Sequence, residues 1–360
     1  MRTLVIGGSV FLGRAIVEEA LRRGHEVTTF NRGVSGQDLP GVEAVRGNRE
    51  SPRIWPGSPR AASGTPSSTS ADSSPGGRRL GARPQRQGRH LRVHLQHLGL
   101  FRLAGLEPDG REHPRFDCAP DAGPEDGDYG VLKAGCERAV EQGFDGNALI
   151  IEPGLILGPH ENVGRLPWWL TRIARGGKVL APGDPEIAMQ LIDARDIAAF
   201  TLSQAEAGTA DRFFVSGVEG NATYRGLLQE CRAVTGSDAE FVWVDDRFLL
   251  DREVQPWTEL PVWAPRSPEF AGVWLPSSAK ARAAGLTCRP VAETVRDTWA
   301  WLRDIPVERR SFGTARMSHG IDPDKEAEIL AAWEGRLPRH RREHGSVNVD
   351  FCTDARARPA

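Results

Sequence analysis

Thr3-Leu4-Val5-Ile6-Gly7-Gly8-Ser9-Val10-Phe11-Leu12-Gly13 begins the chain, and one helix length later comes Glu26-Val27-Thr28-Thr29-Phe30. The first four residues are a short apolar run of the kind that forms a buried parallel strand. Leu12, Ile16, Val17, Ala20 and Leu21 then recur at helical spacing up to Gly24, which reads as a helix stop. Strand, glycine turn, helix and second strand within about 30 residues is the context that gives a glycine motif its weight. Gly7 permits the tight turn, and Gly13 permits close helix–strand packing. The helix N-terminus offers free N–H groups to a pyrophosphate. The opening therefore reads as a Rossmann-type dinucleotide-binding unit, with an ordinary βαβ unit lacking a ligand as the alternative. One departure stands out: Val10 occupies the middle glycine position of a G-x-x-G-x-x-G spacing, where a side chain is expected to crowd the diphosphate.

After the second strand comes Asn31-Arg32-Gly33. An NAD-preferring site places an acid here to accept hydrogen bonds from the ribose hydroxyls, and none is present. Arg32 suits a 2′-phosphate instead, which favours NADP and leaves NAD open. The candidate cofactor-binding set is Gly7, Ser9, Val10, Phe11, Leu12, Gly13, Asn31 and Arg32. The bland reading of Arg32 is a solvated turn residue.

Tyr129 and Lys133 lie in Tyr129-Gly130-Val131-Leu132-Lys133-Ala134-Gly135-Cys136, which reads as helical. Spacing of i, i+4 puts them on one face. A phenol has a reference pKa near 10, and a nearby ammonium favours the phenolate. Tyr129 can then exchange a proton with a substrate oxygen while Lys133 tunes it and reaches the nicotinamide ribose. Only two tyrosines and four lysines occur among 360 residues. A chance Tyr-x-x-x-Lys pair therefore arises at roughly the 2% level.

These segments together resemble the extended short-chain dehydrogenases/reductases, the NAD-dependent epimerase/dehydratase group. The turn followed by Phe30-Asn31-Arg32-Gly33 looks like an actinobacterial, isoflavone-reductase-like branch related to the chloroplast stem-loop-binding proteins. Ile150-Ile151-Glu152-Pro153-Gly154-Leu155-Ile156-Leu157-Gly158-Pro159 resembles the family's strand and loop beside the nicotinamide, with Glu152 where Arg is common. The resemblance adds Pro153 to the cofactor-binding set. Gln190-Leu191-Ile192-Asp193-Ala194-Arg195-Asp196-Ile197-Ala198 resembles the segment that returns to the nucleotide domain. The implied fold is α/β, a doubly wound parallel sheet with a smaller α/β substrate lobe. The implied boundaries are 1–160 for the nucleotide domain, 161–304 for the lobe with its return near 188–204, and 305–360 for a C-terminal helix and tail. The implied activity is hydride transfer or epimerisation on a small carbonyl, hydroxyl or sugar-like substrate, with Tyr129 and Lys133 catalytic.

Residues 51–115 read differently. They are crowded with Pro, Ser, Gly and Arg where the resemblance implies two Val/Ile-rich strands, one ending in a Ser or Thr beside the tyrosine. Leu91-Arg92-Val93-His94-Leu95-Gln96-His97-Leu98-Gly99-Leu100-Phe101 is the nearest candidate strand, but no Ser or Thr lies in or just after it. A disordered insertion is one reading. A reading-frame slip near residue 50, compensated near 118, is the sharper one, because GC-rich DNA out of frame yields this composition. His90, His94 and His97 could face one side of a helix, but no acid or Cys completes a metal set at familiar spacing.

Gly164 to Gly177, Leu227 to Val234 and Glu293 to Leu302 read as helices, and Arg212 to Ser216 and Phe241 to Val244 as strands. Trp257, Trp263 and Trp274 suit either a substrate pocket or a core. Asp324 to Trp333 could be one more helix, followed by a basic, solvated cluster of Arg336, Arg339, Arg341 and Arg342. The formal net charge is −2, so nothing global points to nucleic acid or membrane. Cys118, Cys136, Cys231, Cys288 and Cys352 are odd in number and scattered, which fits reduced thiols in a cytoplasmic protein. The first strand starts too early to leave room for a signal peptide. Two other readings stay open: a protein that binds NADP without catalysis, and an RNA-binding relative of the stem-loop-binding proteins. The sequence does not fix an oligomeric state.

Overall fold

The computed structural model describes residues 1–48, 91–95, 116–123, 125–127, 129–143, 147–310, 313–314 and 317–336. Strand β1 (Arg2–Ile6), helix α1 (Phe11–Arg22) and strand β2 (Glu26–Asn31) follow one another as the apolar pattern predicts. β2 lies between β1 and β3 (Glu43–Arg46), and all three run parallel. Ile6 sits opposite Phe30, and Asn31 opposite Arg46, so the C-terminal ends of the three strands share one edge.

A second parallel sheet places β5 (Asn147–Pro153) between β4 (Leu91–Leu95) and the strand Arg212–Val215. Helix α2 (Tyr129–Gly143) precedes β5 and packs on it. Parallel strands need such a helical crossover, so α2 runs back antiparallel to β5. No pairing joins β1 to β4 among the described residues.

β4 falls within Leu91–Phe101, the nearest candidate strand in 51–115, although that segment lacks the Val/Ile/Leu-rich run expected of a buried parallel strand. Leu91 pairs with Asn147 and Leu95 with Ile151. Leu91, Val93 and Leu95 alternate with Arg92 and His94, a period-2 pattern that a search for an unbroken apolar run overlooks. The same strand removes the helix proposed to align the histidines: His94 is on β4, while His90 and His97 lie outside the described residues. So does the remainder of that segment, and with it the reading-frame slip.

Beyond β5 the chain enters β6 (Leu155–Leu157), which pairs in parallel with Leu191–Asp193. Helix α3 (Arg165–Ala174) leads to β7 (Lys178–Pro182), paired in parallel with Glu240–Val244. Helix α4 (Ala194–Glu206) returns to the first sheet and packs against α1. Arg23 donates to Glu206 at 2.8 Å and to the Ala199 carbonyl at 2.9 Å, and His25 Nε2 lies 2.8 Å from Glu206. Val17, Ala20, Leu149, Ile151, Ile197 and Val215 bury themselves between these helices and strands.

A second apolar core gathers around Trp169 and Tyr224, the latter on α5 (Tyr224–Thr235). The Pro261 carbonyl accepts hydrogen bonds from Trp169 Nε1 at 2.7 Å and from the Tyr224 hydroxyl at 2.9 Å. Trp257 and Trp263 are buried in this core, and Trp263 donates to Asp246 at 2.8 Å. Trp274 packs against it, half-buried. Core packing, not a pocket wall, accounts for Trp263. Helices Val291–Arg303 and Pro323–Glu334 close the same core, the latter through Ile329 and Glu326. Arg336 is exposed and lies over the Phe248 ring. Arg339, Arg341 and Arg342 lie outside the described residues. The four described cysteines are free thiols. Among the described residues no helix is long and apolar enough to cross a membrane.

Candidate functional site

The glycine turn is built from left-handed backbone. Gly7 has φ +100° and Gly8 φ +89°. A Cβ on Gly8 would lie 2.9 Å from Val17 Cγ2 and 3.1 Å from Thr29 Cγ2, so α1 and β2 can approach β1 only because Gly8 has no side chain. Sequence reading assigned the tight turn to Gly7; Gly8 carries the steric demand as well. Gly8→Ala is expected to cost about 1–3 kcal/mol through strain and collision. Thermal unfolding measures that loss, and an unchanged melting temperature would contradict it.

Phe11, a bulky residue, also has a left-handed φ of +43° as it opens α1. Such strain persists where surrounding structure enforces it, and it concentrates at ligand sites. Val10 precedes it in extended backbone, φ −138° and ψ 150°, and offers no side-chain cap. No acid stands in the first turn of α1. The N–H groups of Phe11, Leu12 and Gly13 therefore meet neither a capping side chain nor a first-turn carboxylate. Ser9 and Leu12 are buried beside them. The Val10 side chain has a visible neighbour: a Cβ on Gly36 would lie 3.3 Å from Val10 Cγ1 and 2.9 Å from the Ser9 carbonyl oxygen. The loop after β2 thus leans on the turn at Val10.

At the end of β2, Asn31 is the hub of a polar corner. Its Oδ1 accepts from Gly33 N and from Arg46 Nη1, each at 2.8 Å, and its Nδ2 donates to Asp38 at 2.9 Å. Arg46 also donates to both Asp38 oxygens, with Nη2 in a short bond to Oδ2. That fork holds the Asp38 carboxyl below its ordinary pKa. Arg32 is exposed and has no hydrogen bond or ion pair among the described residues. Asp38 and Arg46 were missed in the sequence because neither adjoins the Asn-Arg-Gly motif; the parallel register of β2 and β3 brings Arg46 there.

Tyr129 opens α2, and Lys133, one turn on, is buried. The helix that carries this pair is anchored by an ion cluster. Arg212 reaches Glu152 on β5 at 2.5 Å and Glu137 and Glu141 on α2 at 2.6 and 3.2 Å. That bridge ties the middle of α2 to β5. Lys133 and then Tyr129 lie one and two turns nearer the N-terminal end of α2. Pro153 ends β5. Glu152, the departure from the expected Arg, has its charge met by Arg212 from the neighbouring strand. The second tyrosine is sealed away: Tyr224 is buried with its hydroxyl donating to the Pro261 carbonyl at 2.9 Å, and burial pushes its phenol pKa up.

The loop after β6 adds His160, which sequence reading did not single out. Its backbone is left-handed, φ +64°, and its ring lies 5.1 Å from that of Trp301. Burial, with Arg14 of α1 adding to it, lowers its pKa to about 4, so it is neutral at neutral pH.

No family model matches the sequence, and no curated protein matches it. Solved structures do. A UDP-glucose 4-epimerase from Thermotoga maritima, crystallised with UDP-glucose, superposes with TM-score 0.52 at 15% identity over 84% of this chain and 99% of its own. The NAD complex of UDP-glucose 4-epimerase from Thermus thermophilus gives 0.52 at 17% over 85% and 100%. The Bordetella bronchiseptica enzyme WbmH with NAD+ gives 0.55 at 14% over 84% and 99%. This chain has their fold. Identities this low carry the architecture and leave the chemistry to be argued from the residues above.

Proposed function

We propose that the chain is a nicotinamide-dependent oxidoreductase or epimerase of the extended short-chain dehydrogenase/reductase kind, with NADP(H) preferred and NAD(H) accepted. The observation that carries this is the left-handed Gly7–Gly8 turn opening on the uncapped N-terminus of α1, beside a corner that offers Arg32 and Arg46. Those residues fit a dinucleotide: N–H groups for the pyrophosphate, a turn that tolerates close approach, and cations for a 2′-phosphate. Gly7, Ser9, Val10, Phe11, Leu12 and Gly13 would hold the diphosphate, Asn31 and Arg32 the adenosine ribose, and Pro153 the nicotinamide side. The cofactor, when bound, supplies the hydride acceptor or donor.

The chain's own residues do the rest. Lys133 is a buried ammonium one helical turn from Tyr129, and a cation so placed favours the phenolate. Tyr129 exchanges a proton with the substrate oxygen. The substrate class is a small carbonyl, hydroxyl or sugar-like molecule; the solved neighbours include enzymes crystallised with UDP-glucose and with UDP. No membrane or nucleic-acid partner enters this reading.

Titration of the full chain with NADP+ and NAD+, followed by a carbonyl and sugar substrate panel, tests it. NADP+ should bind more tightly, and Arg32→Asp should erase or reverse the preference, because it replaces a phosphate-binding cation by a ribose-binding acid. Equal affinities in the parent chain would remove the case for NADP. Failure to bind either would remove the enzyme reading altogether.

A further inference from the structure

The polar corner at the ends of β2 and β3 contains an acid after all, and the arrangement around it decides which way the site reads the ribose. Asp38 receives Asn31 Nδ2 at 2.9 Å, Arg46 Nη1 at 3.2 Å, Thr29 Oγ1 at 3.5 Å, and the short bond from Arg46 Nη2. Four donors already converge on its two oxygens. Asn31 Oδ1 is likewise taken twice, by Gly33 N and Arg46 Nη1. Asp38 Oδ1 and Asn31 Oδ1 are thus fully engaged within the protein, and Asp38 Oδ2 is held by the Arg46 guanidinium.

The donors are not. An arginine has five N–H groups in a rigid fork. Arg46 spends both hydrogens of Nη1 and one of Nη2 on Asn31 and Asp38, which leaves Nε–H and one Nη2–H. Its side chain is half exposed, whereas that of Asp38 is mostly covered. Gly33 makes room for this pose: with φ +74°, a Cβ there would stand 2.8 Å from Arg46 Nε. Arg46 thus lies across the turn next to Arg32, on the strand edge where ligands of doubly wound sheets bind. Arg32 and Arg46 against Asp38 leave the corner one positive charge in excess. The next acid on β3, Glu43, is at the strand's other end, bonded to Thr28.

We infer that Arg46, fixed from behind by Asp38 and Asn31 and seated over Gly33, is the principal group that recognises the 2′-phosphate of NADP, with Arg32 as its freer companion. The inference rests on the dinucleotide reading above and adds the residue that sets its specificity. Asp38 holds the guanidinium and is not itself a ribose ligand.

Calorimetric titration of the full chain with NADP+, NAD+, adenosine 2′,5′-bisphosphate and 5′-AMP tests it. Arg46→Gln keeps a polar side chain of similar reach and removes the charge. It should weaken NADP+ and the bisphosphate by about 10–100-fold, the worth of a charge-assisted bond, and leave NAD+ and AMP within about twofold. Arg46→Lys, which restores charge without the fork, should recover part of the loss. Undiminished NADP+ binding by Arg46→Gln overturns the inference. So does an equal loss for all four ligands, which would make Arg46 structural. The parent chain gives a check that needs no variant: the bisphosphate should bind more tightly than AMP, by a margin that shrinks with added salt. Equal affinities for those two overturn the inference while NAD+ binding leaves the dinucleotide reading standing. A parent chain that binds none of the four overturns both.

Discussion

Replacing Tyr129 by Phe is expected to lower turnover by about 10²–10⁴-fold, the usual worth of a positioned proton donor, with cofactor affinity little changed. Tyr129 stands at the N-terminal end of α2, two turns beyond the Arg212 cluster that fixes the helix against β5. Lys133, between them, is buried, so its ammonium acts on its neighbours with little screening. Lys133→Ala should therefore harm both turnover and cofactor binding, because in the proposed mechanism the same ammonium would tune the phenol and meet the ribose. The other tyrosine cannot substitute, since Tyr224 is sealed in the second core with its hydroxyl on Pro261. The comparison is best run beside a chain whose codons 50–120 are read in the alternative frame, because no Ser or Thr to orient the substrate oxygen lies in or just after Leu91–Phe101, the nearest candidate strand. Full turnover by Tyr129→Phe in an active version would end the proposed mechanism. Binding of NADP+ by both versions with turnover by neither would favour a sensor.

What the sequence disclosed depended on the range of the interaction. The β1–turn–α1–β2 unit was legible because its signals are local: an apolar run, two glycines, a helical period and Gly24 as the stop. Tyr129 and Lys133 were legible because their spacing is a property of one helix. Arg46 was not, since only the parallel register of β2 and β3 sets it opposite Asn31, fifteen residues away. Glu152 looked like an isolated departure, because its partner Arg212 comes from a strand sixty residues on. β4 falls within the nearest candidate strand, Leu91–Phe101, but its parallel pairing with β5, more than fifty residues on, is not written in any local pattern. Val10 looked like an obstacle, and the contact with Gly36 that gives it a neighbour lies in a loop without periodicity.

The same dependence on distance makes the second large effect one that no local pattern announces. Arg172→Ala is expected to destabilise the protein by about 3–5 kcal/mol. Arg172 on α3 grips Glu326 of the C-terminal helix through Nε, at 3.0 and 2.7 Å to its two oxygens. Glu326 also accepts from Leu180 N of β7 at 3.1 Å, and it is 6% exposed. Removing the guanidinium leaves a carboxylate buried with a single backbone donor, and the desolvation cost is no longer offset. Glu326→Gln should cost less, because an amide can still accept from Leu180 N and carries no charge to strand. Removing both partners should cost less than the two single losses added together, since each single change includes the penalty of an orphaned neighbour. Around the pair, Lys325 bonds Glu259 at 2.7 Å and Trp333 meets the Phe248 ring edge-on with centroids 4.8 Å apart, so the helix keeps other anchors and the variants should still fold. Urea unfolding of the three variants measures the cycle. A loss below about 1 kcal/mol for Arg172→Ala would class the pair with exposed ion pairs and would mean that helix Pro323–Glu334 is held chiefly by its apolar face.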